Sequence, residues 1–403
     1  MFIEIVAAIL LGVLAGIVTG LTPGIHINLV ALLLLSASGF LLTYTSTIVL
    51  CIFIISMATT HTFLDFIPSI FLGVPDAETA LAVLPGHRML LEGKAFEAVK
   101  LSTIGCLFAV ITSIASAPLF IFILPFIYNL IESFIGWILL GIVIFMVMKE
   151  PNWSNRFWAG FVVLCSGILG YIVFDTPAIK DPLFPLLSGL FGVSMLIGSL
   201  SEKTVVPKQR ITEEVVIGKK DLAKSVSAGL FSGGMTSFLP GLGPAQASII
   251  GSFLVGKLGT CCFLILMGAI GTVNMILSLL TLFTIEKARN GAVLVIQKLA
   301  GSLGILDISM LMLGSLVAAG FATFLSMYFA RIFSNIIEKV NYQILSSAII
   351  LLIVILAFVF SGWLGFLVLF VSTCLGLIPV CLGIGKNHSM GCLLIPVIIY
   401  FIS

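Results

Sequence analysis

Apolar runs fall at 2–20, 27–41, 43–60, 98–130, 134–148, 157–174, 184–200, 225–238, 245–256, 260–284, 305–335, 343–361, 364–380 and 389–402. A hydrocarbon core about 30 Å thick takes roughly 20 apolar residues per helical span, and several of these runs are too short or too broken to be simple spans. The pattern predicts an all-α integral membrane protein of about ten to twelve transmembrane spans or part-spans, with broken helices and a re-entrant hairpin.

Polar positions are concentrated at the middle of the chain. Between Leu200 and Ala228 the stretch EKTVVPKQRITEEVVIGKKDLAK holds Lys203, Lys208, Arg210, Lys219, Lys220 and Lys224 with four acidic residues, and it reads as an extramembrane linker. The chain then divides into a first membrane repeat over 1–200, a polar linker over 201–224 and a second membrane repeat over 225–403. Positive-inside counting puts the linker in the cytoplasm, joined by the Lys149–Arg156 and Arg331–Lys339 loops.

The two halves show internal similarity. GIVTGLTPGIHINLVALLLL from Gly16 lies without gaps on GGMTSFLPGLGPAQASIIGS from Gly233, so that Gly16 meets Gly233, Thr19 meets Thr236 and Pro23-Gly24 meets Pro240-Gly241, all at an offset of 217. A fainter match sets Ile67–Leu84 on Ile276–Val293 and pairs Ser69 with Ser278. An odd number of crossings per half makes the repeats inverted, the arrangement expected here and common in secondary transporters.

Composition narrows the function classes. Of 403 residues 60% are hydrophobic and 9% charged, against about 25% charged in a soluble domain. A soluble enzyme, a nucleic-acid binder and a single-span receptor are excluded, since each needs a sizeable polar domain. The net charge of +2 indicates no anionic macromolecular partner. The eight cysteines lie in or beside apolar runs without C-x-x-C spacing and read as small buried hydrophobes. The N-terminal MFIEIVAAILLGVLAGIVTG has Glu4 and no basic residue before its apolar stretch, so it is expected to be a retained first helix rather than a signal peptide.

Three constellations could carry chemistry. Pro23-Gly24 and Pro240-Gly241-Leu242-Gly243-Pro244 should each interrupt a helix inside the bilayer, where unpaired backbone must line protein or a water-filled cavity. Matched breaks in two halves point to a substrate site near the midplane, with half-helix N-termini facing an anion. His26 and Asn28 follow the first break and Gln246 the second. The second constellation runs from Met57 to Ala98, with Thr59, Thr60, His61, Thr62, Asp65 and Ser69 between apolar runs. Ile67–Val74 and Ala80–Leu84 read as the arms of a re-entrant hairpin tipped by Gly73-Val74-Pro75-Asp76, where Asp76 and Glu78 could hold a cation or a hydroxyl-bearing substrate. An exposed loop, with Asp76 or Thr79 capping the next helix, is the plain alternative. The third lies in Met267–Val295, where Thr272, Asn274, Ser278, Thr281 and Thr284 suit a weakly held monovalent ion or simple helix-to-helix contact. No histidine has metal-ligand spacing, so no metal site is expected.

These residues carry a family resemblance. The Pro-Gly segment of each half, the block LDFIPSIFLGVPDAETALAVLPGHRMLLEGKAFEAVKLSTIG and the closing SGLFGVSMLIGSL of the first half resemble the large permease subunit of tripartite tricarboxylate transporters, the TctA family, most of all its short archaeal-type members. In that family a small-residue hairpin is followed by a GYPMARKGKAGEAL-like run, and LPGHRMLLEGKAFEAVKL stands in that place. The resemblance covers most of the chain, most strongly 10–110 and 228–256. It implies a multi-span permease of the cell membrane that binds substrate and coupling ion between two repeats and works by alternating access on a sodium or proton gradient. It also implies a separate small membrane subunit and an extracytoplasmic solute-binding protein. By position the resemblance puts substrate contacts on Pro23, Gly24, Gly73, Pro75, Asp76, Pro240, Gly241, Gly243 and Pro244. The chain departs from the family in being short and in having Leu280–Glu286 where a second small-residue hairpin stands. No basic residue falls inside either break, which argues against citrate.

The resulting expectation is a secondary active transporter of a small organic anion such as a carboxylate; the alternative is a translocase of a lipid carrier such as a polyprenyl phosphate. His26, Asn28, Glu78, Thr79 and Gln246 join the substrate set, and Thr59, Asp65, Ser69, Asn274 and Ser278 form the coupling-ion set. No catalytic residue, enzyme activity or cofactor beyond Na+ or H+ is expected, and homo-oligomerisation stays open.

Overall fold

The computed structural model describes residues 2–22, 27–73, 83–179, 182–201, 207–211, 215, 217–239, 243–256, 259–288, 290–338 and 342–402. Among these the chain is mainly helical, without strands. The first half holds α1 (Phe2–Leu21), α2 (Ile27–Ser36), α3 (Ser38–Leu41), α4 (Thr47–Leu64), α5 (Phe66–Leu72), α6 (Val83–Leu91), α7 (Ala95–Ile131), α8 (Ile135–Met148), α9 (Trp153–Phe174), α10 (Leu183–Leu187) and α11 (Ser194–Ser201). The second holds α12 (Lys219–Phe238), α13 (Pro244–Val255), α14 (Thr260–Ile285), α15 (Gly291–Ala300), α16 (Ile305–Ile337), α17 (Tyr342–Leu382) and α18 (Gly391–Ile402). Among the described residues seven helices are long and apolar enough to cross a membrane, and shorter apolar helices lie between them. The protein is an all-α integral membrane protein.

Most helix bounds follow the apolar runs, and the departures have physical reasons. α12 begins at Lys219, inside the basic stretch, because KKDLAK is itself a good helix former after an extended Gly218. α4 and α5 together carry the chain from Thr47 to Leu72, so the polar residues between Thr59 and Ser69 sit inside helix rather than between spans. The runs at 343–361 and 364–380 join in α17, which is broken at Gly362 (φ 64, ψ −158). A Cβ on Gly365 would stand 2.8 Å from the Ala357 carbonyl, a separation of eight residues that straight helix would make about 12 Å. The chain therefore folds sharply back at Gly362. The reading of every cysteine as buried is corrected: Cys51, Cys106 and Cys392 are buried, but Cys374 and Cys381 are exposed on α17. An exposed thiol is tolerated there because the surrounding helix surface is itself apolar, with Phe370 and Val371 exposed nearby.

Close helix pairs set the architecture. Gly12 faces Phe53 and Ser56, Gly16 faces Met57 and Thr60, and Gly20 faces His61 and Leu64. These glycines form one stripe that lets two backbones approach in an apolar medium. The partners advance in step, so α1 and α4 run parallel. In the second half Gly229 faces Leu266 and Ala269, and Gly233 faces Ile270 and Val273, so α12 and α14 are parallel too. The glycines of the two pairs are 217 residues apart, and their partners, Phe53 and Leu266, Ser56 and Ala269, Met57 and Ile270, Thr60 and Val273, are each 213 apart. A third contact follows suit. Gly105 of α7 abuts Ile265 and Ala269 of α14, while Gly314 of α16 abuts Ile52 and Ser56 of α4.

Helix directions follow from the same contacts. α7 runs parallel to α14, from Gly105 beside Ile265 to Tyr128, whose hydroxyl accepts from Lys287 Nζ at 2.8 Å. α16 runs parallel to α4, from Gly314 beside Ile52 to Ser326, whose hydroxyl donates to the Phe63 carbonyl at 3.4 Å. The central linker ties the start of α7 to the end of α16: Arg210 N–H donates to Gly93 O at 2.8 Å, and Gln209 N–H donates to Glu338 Oε1 at 2.8 Å. α7 is thus antiparallel to α16, and α14 to α4.

Candidate functional site

Across the joint of α4 and α5 the polar residues Thr59, Thr60, His61, Thr62, Asp65 and Ser69 are all buried. Their hydroxyls are largely turned back on their own helix: Thr59 donates to Ile55 O at 2.8 Å, Thr60 to Ser56 O at 2.9 Å and Ser69 to Asp65 O at 2.8 Å. Such back-bonding satisfies a hydroxyl in an apolar setting without a ligand. Asp65 sits at the joint of α4 and α5 with helical dihedrals (φ −65, ψ −20) and is 4% exposed. An acid so placed in a membrane protein is expensive to keep and usually functional.

The counterpart on α14 is equally buried. Thr272 and Ser278 are fully covered and Asn274 nearly so. Thr59 Oγ1 meets Met275 Sδ at 4.0 Å, so the two polar stretches touch across the halves. By the correspondence that the glycine contacts set, an offset of 213, Thr272 is the equivalent of Thr59, Asn274 of His61 and Ser278 of Asp65. The offset of 209 that pairs Ser69 with Ser278 differs from this correspondence by about one helical turn.

The helix breaks fall where the proline-glycine pairs stand. α1 stops at Leu21 and α2 resumes at Ile27; α12 stops at Phe238 and α13 starts on Pro244, whose missing N–H suits a first helical position. Just before each break the same bond recurs: Thr19 Oγ1 donates to Gly16 O at 3.3 Å, and Thr236 Oγ1 to Gly233 O at 2.7 Å. Pro23, Gly24, His26, Pro240 and Gly241 lie outside the described residues, as do the side chains of Asn28 on α2 and Gln246 on α13. Gly243 is half-buried at the start of α13.

The hairpin arms are α5 and α6. Gly73 ends α5 in the left-handed conformation (φ 68), a position that favours glycine. The described part of the second arm is helical over Val83–Leu91, and Ala80–Ala82 lie outside the described residues. Gly86 packs on Ile70, and His87 Nδ1 lies 3.1 Å from Ile70 O. Pro75, Asp76, Glu78 and Thr79 are outside the described residues.

A cavity of about 860 Å³ lies beside this hairpin, within the range of about 300–1,000 Å³ usual for small-molecule sites. Its walls come from both halves: Pro85 of α6, one face of α8, Met195 of α11, Ser248 and Phe253 of α13, and Phe263 of α14. Gly73 touches the same wall, since a Cβ there would stand 3.1 Å from Met195 Cε. One end is charged, with Lys149, Glu150 and Lys386.

Lys386 is the residue sequence reasoning missed. It is 9% exposed and donates to Phe191 O at 3.3 Å and to Ser194 Oγ at 3.2 Å. Phe191 belongs to a π-helical turn, Ser188–Val193, that joins α10 to α11. Such turns displace carbonyls from the regular ladder and recur at functional sites. The turn is held tight by Gly189, which abuts Ser372 and Leu369 of α17. Beside Lys386, Glu150 Oε1 pairs with the fully buried His388 Nε2 at 2.8 Å and accepts from Gly385 N at 3.4 Å. A signal was present, for Lys386 is the only Lys, Arg, Asp or Glu after Lys339. Among the described residues no three His, Cys, Asp or Glu side chains gather as metal ligands.

Paired broken helices, buried intramembrane polar groups and a cavity walled by both halves define a multi-pass membrane transport protein. The chain belongs to the tripartite tricarboxylate transporter TctA family, whose model matches residues 6–391. This is a family of transporter components rather than enzymes, and it works with partner subunits. The chain is also similar to an uncharacterized protein of Methanocaldococcus jannaschii, 30% identical over 98% of both chains. No solved structure matches.

Proposed function

We propose that the protein is a secondary active transporter that moves a small organic anion, such as a carboxylate, across the cell membrane by alternating access, driven by a sodium or proton gradient. The observation that carries the reading is the pair of helix assemblies, α1–α4–α16 and α12–α14–α7, which use equivalent positions and run in opposite directions. Two inverted repeats of nearly equal packing provide two states, each open to one side, with the binding site where they meet. The substrate is held near the breaks after Leu21 and Leu239 and beside the hairpin that follows Gly73, with Gly243 and Pro244 at the start of α13. Thr59, Asp65, Ser69, Asn274 and Ser278 form the coupling-ion region, in which Asp65 is the one acid and supplies the charge. A small membrane subunit and an extracytoplasmic solute-binding protein complete the system.

A thermal-shift screen tests this reading, because a ligand that binds only the folded state raises the melting temperature. Mono-, di- and tricarboxylates are titrated against the purified protein with Na+ or at stepped pH. At least one carboxylate should raise Tm, and more so in the presence of its coupling ion. Stabilisation by polyprenyl phosphates alone would replace the reading with that of a lipid-carrier translocase.

A further inference from the structure

The cavity between α8, α11, α13 and α14 narrows the substrate class. We infer that it binds an amphipathic anion, a single carboxylate or phosphate head on an apolar body, with the head on Lys386 and the body along α8 and α13. This rests on the reading of the chain as an anion carrier.

The charge at the site points to an anion. Lys386 is buried and its hydrogen-bond partners, Phe191 O and Ser194 Oγ, are neutral. A buried ammonium without a counter-ion is unfavourable, and breaking or completing such a pair changes stability strongly. Glu150, the carboxylate on this wall, is engaged by His388 and by the Gly385 amide. Lys149 also lines the cavity and is exposed. Among the described residues two cations stand against one committed carboxylate at this end of the pocket, and a bound anion supplies the missing charge. Asn387, beside Lys386 on the same turn, adds a neutral donor.

The rest of the wall limits what the anion is attached to. Ile138, Ile142, Phe145, Ile249, Phe253 and Phe263 face the cavity. A second or third carboxylate laid against them would lose its water without gaining a partner. An apolar body gains there: burying each methylene should tighten binding about three- to fourfold until the space is filled. Gly141 lines this apolar part, and a Cβ built on it meets nothing within 4 Å.

Isothermal titration in lipid nanodiscs, with empty nanodiscs subtracted, tests the inference. The probes are acetate, butyrate, octanoate, octyl phosphate, citrate and phosphatidic acid. Octanoate should bind at least tenfold tighter than butyrate, and butyrate tighter than acetate. Lys386→Met should weaken octanoate and octyl phosphate at least tenfold. Gly141→Phe leaves Lys386 in place and fills the apolar end, so it should abolish the gain from butyrate to octanoate while sparing acetate; it serves as well if Lys386→Met does not fold. Tighter binding of octanoate and octyl phosphate than of phosphatidic acid assigns a water-soluble source, and the reverse order a lipid headgroup. Affinities that are flat with chain length, or unchanged in both variants, overturn the inference. Citrate binding that persists in such a case leaves the carrier reading standing, whereas a failure of gradient-driven carboxylate uptake removes the carrier reading without touching the chain-length result.

Discussion

Gly16 and Gly320 both lie inside long membrane helices, yet a methyl group has opposite consequences at the two. At Gly16 it would stand 2.5 Å from Thr60 Cβ and 2.7 Å from Met57 O, whereas at Gly320 nothing lies within 4 Å. Gly16→Ala should therefore destabilise by about 1–3 kcal/mol through overpacking, and Gly320→Ala should stabilise by about 0.5–1 kcal/mol through helix propensity. Thermal unfolding in one detergent checks both signs side by side. Gly16 and Thr19 were legible in the sequence because they recur at Gly233 and Thr236. Lys386 was not assigned a role, because its meaning depends on Phe191 and Ser194, nearly two hundred residues earlier. Sequence spacing cannot report a contact of that separation.

At the scale of elements, most helices coincide with apolar runs because bilayer-spanning helices must be apolar over nearly their whole length. The hairpin is there in outline, with α5 and α6 packed through Ile70, Gly86 and His87. What the sequence left hidden is set by three-dimensional packing: the offset of 213 by which α4 and α14 correspond, the π-helical turn before α11 and the reversal at Gly362. That correspondence depends on which residues each helix presents to its own glycine-striped partner, and local pattern alone does not fix it. The matched breaks after Leu21 and Leu239 yield a prediction of their own. Pro23→Ala combined with Pro240→Ala removes the matched proline from each break. The double variant should insert into the membrane at a normal level and lose transport. Near-normal uptake would remove the paired breaks from the site.

At the scale of the whole molecule, the two halves meet along α4 and α14 and around one cavity, with the central linker bridging the start of α7 and the end of α16. The inverted directions and the shared cavity are what a carrier needs, since a small relative motion of the halves moves the opening from one side to the other. Membership of the TctA family makes the protein a transporter component; under the proposed function this chain itself carries the pathway. The most direct measurement is uptake of radiolabelled carboxylates into proteoliposomes holding this chain and, in parallel, this chain with its partner subunits, under an imposed sodium or pH gradient. The account predicts accumulation above the external concentration that collapses when an ionophore dissipates the gradient. Uptake that stops at equilibrium and ignores both gradients would contradict it.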